Sequence, residues 1–145
     1  MDNIEMERIW DDHNAAEFAI KDADTALKTM VESPYVHAIA AGAAVTGRDQ
    51  VRDFYAHVLI PGWPDDAQMQ SVNRVVGDDQ LVDELHLGFT HAKQMDWLLP
   101  GVQPTNRKVD MDVVIVARFD NGLIAGERIY WDQASVLRQV GRLEG

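Results

Sequence analysis

Cysteine is absent from the 145 residues, so disulfides, thiolate metal ligands and cysteine nucleophiles are excluded together. Positive charge is scarce: 13 Lys and Arg stand against 24 Asp and Glu, a formal net charge of -11. That balance argues against nucleic acid as a partner, because phosphate binding needs a surplus of cations. It also disfavours an anionic membrane surface. Apolar runs are short, and none approaches the ~20 residues that a spanning helix needs. The opening stretch "MDNIEMERIWDDH" is acidic and lacks the apolar core of a signal peptide. The expectation from these absences is a soluble, cytoplasmic chain forming one domain over residues 1–145.

Chemical signatures are equally thin. Neither a glycine-rich nucleotide loop nor a GxSxG elbow occurs. The five histidines, His13, His37, His57, His86 and His91, show neither HxH nor HExxH spacing, so no metal and no cofactor are expected. His13 and Glu17 stand one helical turn apart, which reads as a surface pair.

What is present is patterning. Hydrophobic residues make up 46% of the chain, enough for a core and a ligand cavity. From Ile4 to Met30 the residues Ile9, Trp10, His13, Phe18, Ile20 and Leu27 recur at three- and four-residue steps. This spacing predicts a helix that Pro34 ends. "YVHAIAAGAAV" reads as a weak strand and turn, and "RDQVRDFYAHVLI" as a second helix broken by "PGWPDD". The period then changes to two. Strands are predicted in "MQSVNRVVG", "LVDELHLGFTHAKQM", "VDMDVVIVARF" and "LIAGERIYWD", with "LLPGVQPTNRK" as a loop. Helices followed by a long antiparallel sheet predict an α+β fold, with the helices on one side of the sheet.

The turn "DNG" joins the last two strands, since Asn and Gly tolerate positive φ. If Asn121-Gly122 is a two-residue loop, Asp120 faces Leu123 and Met111 faces Asp132. One sheet face would then carry Met111, Val113, Ile115, Ala117, Phe119, Ile124, Gly126, Arg128, Tyr130 and Asp132. A greasy face with polar groups near one end is the pattern of a small-molecule pocket. In that setting Asp132 is a candidate general base, its pKa raised by desolvation. The competing reading makes it the N-cap of "DQASVLRQVG". His91, on the Leu85–Phe89 face by alternation, is a candidate proton shuttle, or else a buried, hydrogen-bonded strand histidine. Glu84, His86 and Thr90 fall on the opposite face. Trp63 and Trp97, in loops, are candidates to close a cavity mouth, and Tyr55 is a further candidate lining residue.

Asp132, Leu137, Gln139, Val140 and Gly141 give the spacing D-x4-L-x-Q-V-G, which resembles the C-terminal signature of SnoaL-like polyketide cyclases. "PTNRKV" (Pro104–Val109), "FTH" (Phe89–His91), the hairpin "DNGLIAGE" and the helix "GRDQVRDFY" resemble further segments of that family, in the same order along nearly the whole chain. Asn106 stands where the family has glycine, and Arg128 where it has tryptophan, which points to a more polar pocket. The resemblance implies the fold of the nuclear transport factor 2 and ketosteroid isomerase superfamily. That fold is a cone-shaped barrel of curved, mainly antiparallel sheet wrapped around N-terminal helices, with a deep internal pocket and frequent homodimers. It further implies an enzyme needing neither cofactor nor metal, in which Asp132 is the acid/base of an aldol-type closure or isomerisation on a small carbonyl-bearing, apolar or aromatic molecule. In that scheme His91 and Tyr130 would hold the enolate and Arg128 an anionic substituent. The alternatives are a non-catalytic binding or dimerisation module and an epoxide hydrolase; for the latter Asp112 is the one obvious partner acid on the facing strand, and the expected register puts it on the opposite face.

Overall fold

The computed structural model describes residues 1–143, so the last two residues of the expected domain lie outside it. Helix α1, Asn3–Ala15, opens on Asp2, whose side chain accepts the Glu5 N–H at 2.8 Å. The one long helix expected over Ile4–Met30 is broken. After α1 the chain widens into a π-helical turn, Ala16–Ile20, and turns at Lys21 with φ 60°. It restarts as α2, Ala23–Leu27, because Asp22 caps the new N-terminus by accepting from the Thr25 N–H. Pro34 does not end a helix. It lies inside strand β1, Met30–Ala38, where the pairing with the neighbouring strand skips from Met30 to Tyr35, so its missing N–H costs no ladder bond.

Strand β2, Ala43–Thr46, leads into α3, Arg48–Phe54, which continues as a second π-helical turn, Tyr55–Leu59. The rest is sheet: β3 Gln68–Val76, β4 Gln80–Thr90, β5 Lys108–Asp120 and β6 Leu123–Trp131, closed by α4 Gln133–Gln139. The six strands lie in the order β2-β1-β6-β5-β4-β3. Among the described residues only the β1–β6 pair is parallel. This is the expected α+β fold: a curved, mainly antiparallel sheet against N-terminal helices, with β2 and β3 as open edges rather than a closed barrel.

Alternation sorts the sheet into two faces. Leu81, Asp83, Leu85, Leu87 and Phe89 of β4 and Val109, Met111, Val113, Ile115, Ala117 and Phe119 of β5 are buried beneath the helices. Buried apolar area is the main driving force here, at about 25 cal/mol per Å² removed from water.

The hairpin at Asn121-Gly122 begins in the expected register, Asp120 opposite Leu123 and Phe119 opposite Ile124. One residue later Arg118 pairs with Gly126, leaving Ala125 as an extra residue in β6. A bulge of one residue sends every later side chain to the other face. Burial along β6 shows the switch: Ile124 is buried, and beyond the bulge the deeply buried side chains are Glu127 and Ile129, while Arg128 and Tyr130 are exposed. The expected inner set Arg128, Tyr130 and Asp132 therefore belongs to the outside. Ile115 faces Ile129 and Ala117 faces Glu127.

Candidate active site

Between helices and sheet lies a narrow apolar cavity of about 30 Å³. That is well below the ~300–1,000 Å³ of typical ligand pockets and is room for about one or two waters, so a larger molecule enters only when a wall moves. Phe18, Trp63, Trp97, Leu85, Val113 and Ile129 make up much of the wall. The rings pack in sequence: Phe18 against Trp63 with centroids 4.2 Å apart, Trp63 against Trp97 at 6.3 Å, and Trp97 edge-on to Trp131 at 5.8 Å. Three polar residues interrupt this lining: Asn14, Glu17 and Glu127.

The two acids are each only 3% exposed and are joined by His13, at 0%. His13 Nε2 lies 2.7 Å from Glu17 Oε1 and 3.8 Å from Glu127 Oε2. The local sequence explains the placement. His13 and Glu17 stand one turn apart on one helical face, and Glu17 sits in the π-helical turn, a distortion frequent at functional sites. Tyr55, the first residue of the other π-helical turn, donates from its hydroxyl to Glu127 Oε1 at 3.3 Å. Trp10 stacks on the imidazole at 5.7 Å with 13° between planes.

Hydrogen bonds fix the charge of His13. The Thr29 hydroxyl donates to the Ala26 carbonyl at 2.6 Å, so its oxygen is free to accept from His13 Nδ1 at 2.8 Å. The other ring nitrogen faces a carboxylate. With an acceptor on both sides the ring is an imidazolium. Burial pulls the His13 pKa down, but Glu17 and then Glu127 outweigh it and raise it to about 9. For Glu127 burial comes first and the charge of Glu17 second, both upward; His13 and Tyr55 pull back, and the result is about 7. Burial and the two acids push the Tyr55 hydroxyl well above its ordinary value, so it stays a proton donor. A carboxyl group poised near neutrality beside an apolar cavity is the arrangement that general acid–base chemistry requires.

His13, Glu17 and Glu127 also have the composition of a divalent-cation site, their ligand atoms lying within 4.8 Å of one another. Two adjacent ligands of one octahedral ion at ~2.1 Å stand roughly 3 Å apart. The 2.7 Å between His13 and Glu17 is shorter, the separation of a close ion pair. The site as it stands is an ion pair with a second acid, and the sequence expectation of a surface pair for His13 and Glu17 is corrected.

The other candidates divide clearly. Trp63 and Trp97 line the cavity. Tyr55 is buried behind it, bonded to Glu127 rather than forming the wall. Asp132 is exposed and caps α4 by accepting the Ser135 N–H at 3.2 Å. It is not among the residues lining the cavity, a correction that follows from the Ala125 bulge. Arg128 and Tyr130 go with it, bonded to each other on the outer face at 3.1 Å. Asp112 is also outside, paired with the exposed His86 at 3.0 Å. His91 follows the end of β4 and is fully buried. Its Nδ1 accepts the Thr105 N–H at 3.2 Å, so Nε2 carries the proton, and burial lowers its pKa. His91 is not among the residues lining the cavity.

Glu127, Glu17 and His13 were missed in the sequence as a site, although two signals pointed to them. An isolated glycine inside a strand, Gly126, marks a bulge. His13 already falls in the apolar periodicity of α1, which places it inward.

An open, curved sheet over N-terminal helices, with acids at an internal apolar cavity, defines a protein of the nuclear transport factor 2 and ketosteroid isomerase-like fold. The profile of the SnoaL-like polyketide cyclases matches residues 6–140, and the chain belongs to that family. No curated protein sequence matches it. Among solved structures it is similar to a protein from Jannaschia sp. CCS1 named as a SnoaL-like polyketide cyclase, with 22% identity, 97% and 91% of the two chains covered and a TM-score of 0.76. It is also similar to AclR from Streptomyces galilaeus, named as a hydroxylase, with 17% identity, 99% and 89% covered and a TM-score of 0.75. A third is a protein of ketosteroid isomerase-like fold from Catenulispora acidiphila DSM 44928 in complex with trimethylamine, with 16% identity, 92% of each chain covered and a TM-score of 0.70. At these identities the likeness is one of fold. No helix of the described residues is long and apolar enough to cross a membrane.

Proposed function

We propose that the chain is a cofactor-independent acid/base enzyme acting on a small carbonyl-bearing, apolar or aromatic molecule, with Glu127 as the proton-transferring group. The observation that carries this reading is a carboxyl group buried at an apolar cavity with its pKa raised to about 7. In the carboxylate form Glu127 takes a proton from the carbon next to the carbonyl, giving an enolate, and then returns the proton to carbon or hands it on in an aldol-type step. Glu17 keeps His13 charged, and the imidazolium and Tyr55 hold the Glu127 carboxylate in place. Both are positioning residues, because neither lines the cavity. Trp63 and Trp97 supply flat walls for the substrate. Membership of a family of cyclases supports the reaction class.

The test is deuterium exchange at the α-carbon of small cyclic ketones in D2O, followed by NMR. Glu127→Gln should keep the fold and lose at least about two orders of magnitude in exchange rate, the usual scale for general base catalysis. Full exchange in that variant, or none with the unaltered protein, rejects the reading.

Two carboxyl groups at one cavity also favour a second reading, activation of water for epoxide opening, which hydrolysis of cyclohexene oxide would reveal. A homodimer is part of the proposal as well. Val75, exposed at the outer face of the sheet, and Val82 and Val116, half-buried beside it, give a second copy apolar surface to cover. Light scattering decides that point.

A further inference from the structure

The ion pair of His13 with two acids leaves charge and bonding unbalanced. With Glu127 ionised, one imidazolium stands against two carboxylates, so a negative charge is left over among side chains that are at most 3% exposed. A buried charge is costly unless it is paired or holds a metal. Glu17 Oε1 is unsatisfied as well. It is buried 2.7 Å from His13 Nε2 but without the alignment of a hydrogen bond, and no other donor is aligned on it.

The same three side chains offer one nitrogen and two oxygens within 4.8 Å of one another. Two of them are already held from behind. His13 Nδ1–H donates to the Thr29 hydroxyl at 2.8 Å, which keeps Nε2 turned to the acids. Tyr55 donates to Glu127 Oε1 at 3.3 Å and leaves Oε2 towards His13. Outer contacts of this kind orient the ligands of metal sites. Ligands of a tetrahedral zinc ion at ~2.0–2.1 Å stand roughly 3.3 Å apart. Nε2 is 2.7 Å from one acid and 3.8 Å from the other, values that bracket this spacing. Glu17 and Glu127 also line the cavity of about 30 Å³, which has room for about one or two waters. That suits a four-coordinate ion keeping one water, and not Mg2+, which keeps several.

The geometry points to a zinc site: His13 Nε2, Glu17 and Glu127 bind one Zn2+ per chain, with a water in the cavity as fourth ligand. The ion replaces the proton on Nε2, which passes to solvent, and two carboxylates then balance one divalent cation. Binding requires these side chains alone. Its effect on catalysis rests on the function proposed for Glu127: the lone pair that takes a proton from carbon is given to the metal, so the loaded protein is a resting form.

Co2+ is the probe, because a four-coordinate Co2+ absorbs strongly in the visible and a hydrated one weakly. The unaltered protein, stripped by a chelator, should take up one Co2+ with the strong bands, and Zn2+ should displace it. In 15N-labelled protein one equivalent of Zn2+ should move the Nε2 resonance of His13 and leave those of His86 in place. Glu17→Gln should weaken Co2+ binding at least about tenfold, the scale on which even a lost outer contact is felt. His86→Ala removes the exposed histidine paired with Asp110 and Asp112 and should leave binding unchanged. The measurements on the unaltered protein need no variant, so they stand even if Glu17→Gln fails to fold. A hydrated spectrum alone, a His13 resonance that Zn2+ leaves in place, or binding lost in His86→Ala but kept in Glu17→Gln overturns the proposal. Ketone exchange separates the two readings. Zn2+ seated at His13 with exchange undiminished rejects the role of Glu127 and keeps the site, whereas no Co2+ binding, with exchange lost in Glu127→Gln, does the reverse.

Discussion

Asp83 on β4 and Glu127 on β6 are both acids buried on the inner face of the sheet, yet the protein serves them differently. Asp83 receives three donors: Ser71 Oγ at 2.7 Å, Trp10 Nε1 at 2.9 Å and Arg74 Nη2 at 3.0 Å. Glu127 has a Tyr55 hydroxyl at 3.3 Å and an imidazolium nitrogen at 3.8 Å, and it shares that imidazolium with a second acid. One carboxylate is saturated with donors, among them a guanidinium that also reaches Glu7 and Asp11 nearer the surface. The other is short of donors and competes for one. The first arrangement holds an ion in place, and the second leaves a proton undecided near neutral pH. Trp10 connects them, its N–H on Asp83 and its ring face on His13, so the structural acid helps to orient the cation of the reactive one.

The largest effect that would sharpen this contrast is on stability. Asp83→Ala removes the acceptor of the buried Trp10 indole while Arg74 keeps Asp11 and Glu7, and should cost about 1–3 kcal/mol, the range for a buried polar group left without its partner. Chemical denaturation measures it. A cost below about 1 kcal/mol would put Asp83 in the same class as a surface pair. Glu127→Gln should do the reverse, leaving stability nearly unchanged while the exchange rate falls.

The next effect is on the pH profile. Exchange needs Glu127 ionised and His13 protonated, so the rate should rise through about pH 7 and fall through about pH 9, a bell whose limbs belong to the coupled group as a whole. Tyr55→Phe removes a donor to the Glu127 carboxylate and should displace the lower limb upward. A lower limb unmoved in that variant would show that Tyr55 does not bear on the titration.

Smaller is the effect of pH on stability itself. Glu127 and His13 both bind a proton more tightly folded than unfolded. The share of Glu127 is full below 4.5 and is lost as pH rises towards about 7. That of His13 is full below 6.5 and is lost as pH rises through about 9. Tm should therefore decline from about pH 5 to about pH 9, and Glu127→Gln should flatten the acidic half of that decline. A Tm that rises over this interval in the unaltered protein, or a slope that the variant leaves unchanged, would separate the titration from the cluster.

The same contrast shows what was legible in the sequence. Period-two patterning located β3 to β6 and the hairpin, because alternation over long strands with one buried face is a strong signal. The acid that lines the cavity was assigned to the wrong residue for a local reason: the single extra residue, Ala125, inverts the rest of β6. In α1 the apolar repeat ran on past a break, because the residues of α2 keep a similar period, and the cap formed by Asp22 was lost among other acids. Long-range assembly was not legible at all. Nothing in the spacing says that residues 13, 17, 55 and 127 meet, since their meeting depends on how two π-helical turns sit over a curved sheet.

The smallest effect tests the outer face. Asp132 and Glu127 are five residues apart on one chain, and alternation alone would separate them, since five is odd. In a β6 without the bulge Asp132 would face the cavity and Glu127 the solvent; with it the assignments exchange. Asp132 then has one task that the structure records, accepting the Ser135 N–H at the start of α4. Removing a cap of this kind costs about 1 kcal/mol. Asp132→Ala should therefore lower Tm by a few degrees, on the order of 2–4 °C, and leave the exchange rate within about a factor of two of the unaltered protein. Asp132→Asn, whose side-chain oxygen still caps, should change neither quantity. If Asp132→Asn instead abolished exchange while the hairpin kept its register, a group on the outer face would be carrying the chemistry, and the division between the two faces would fail.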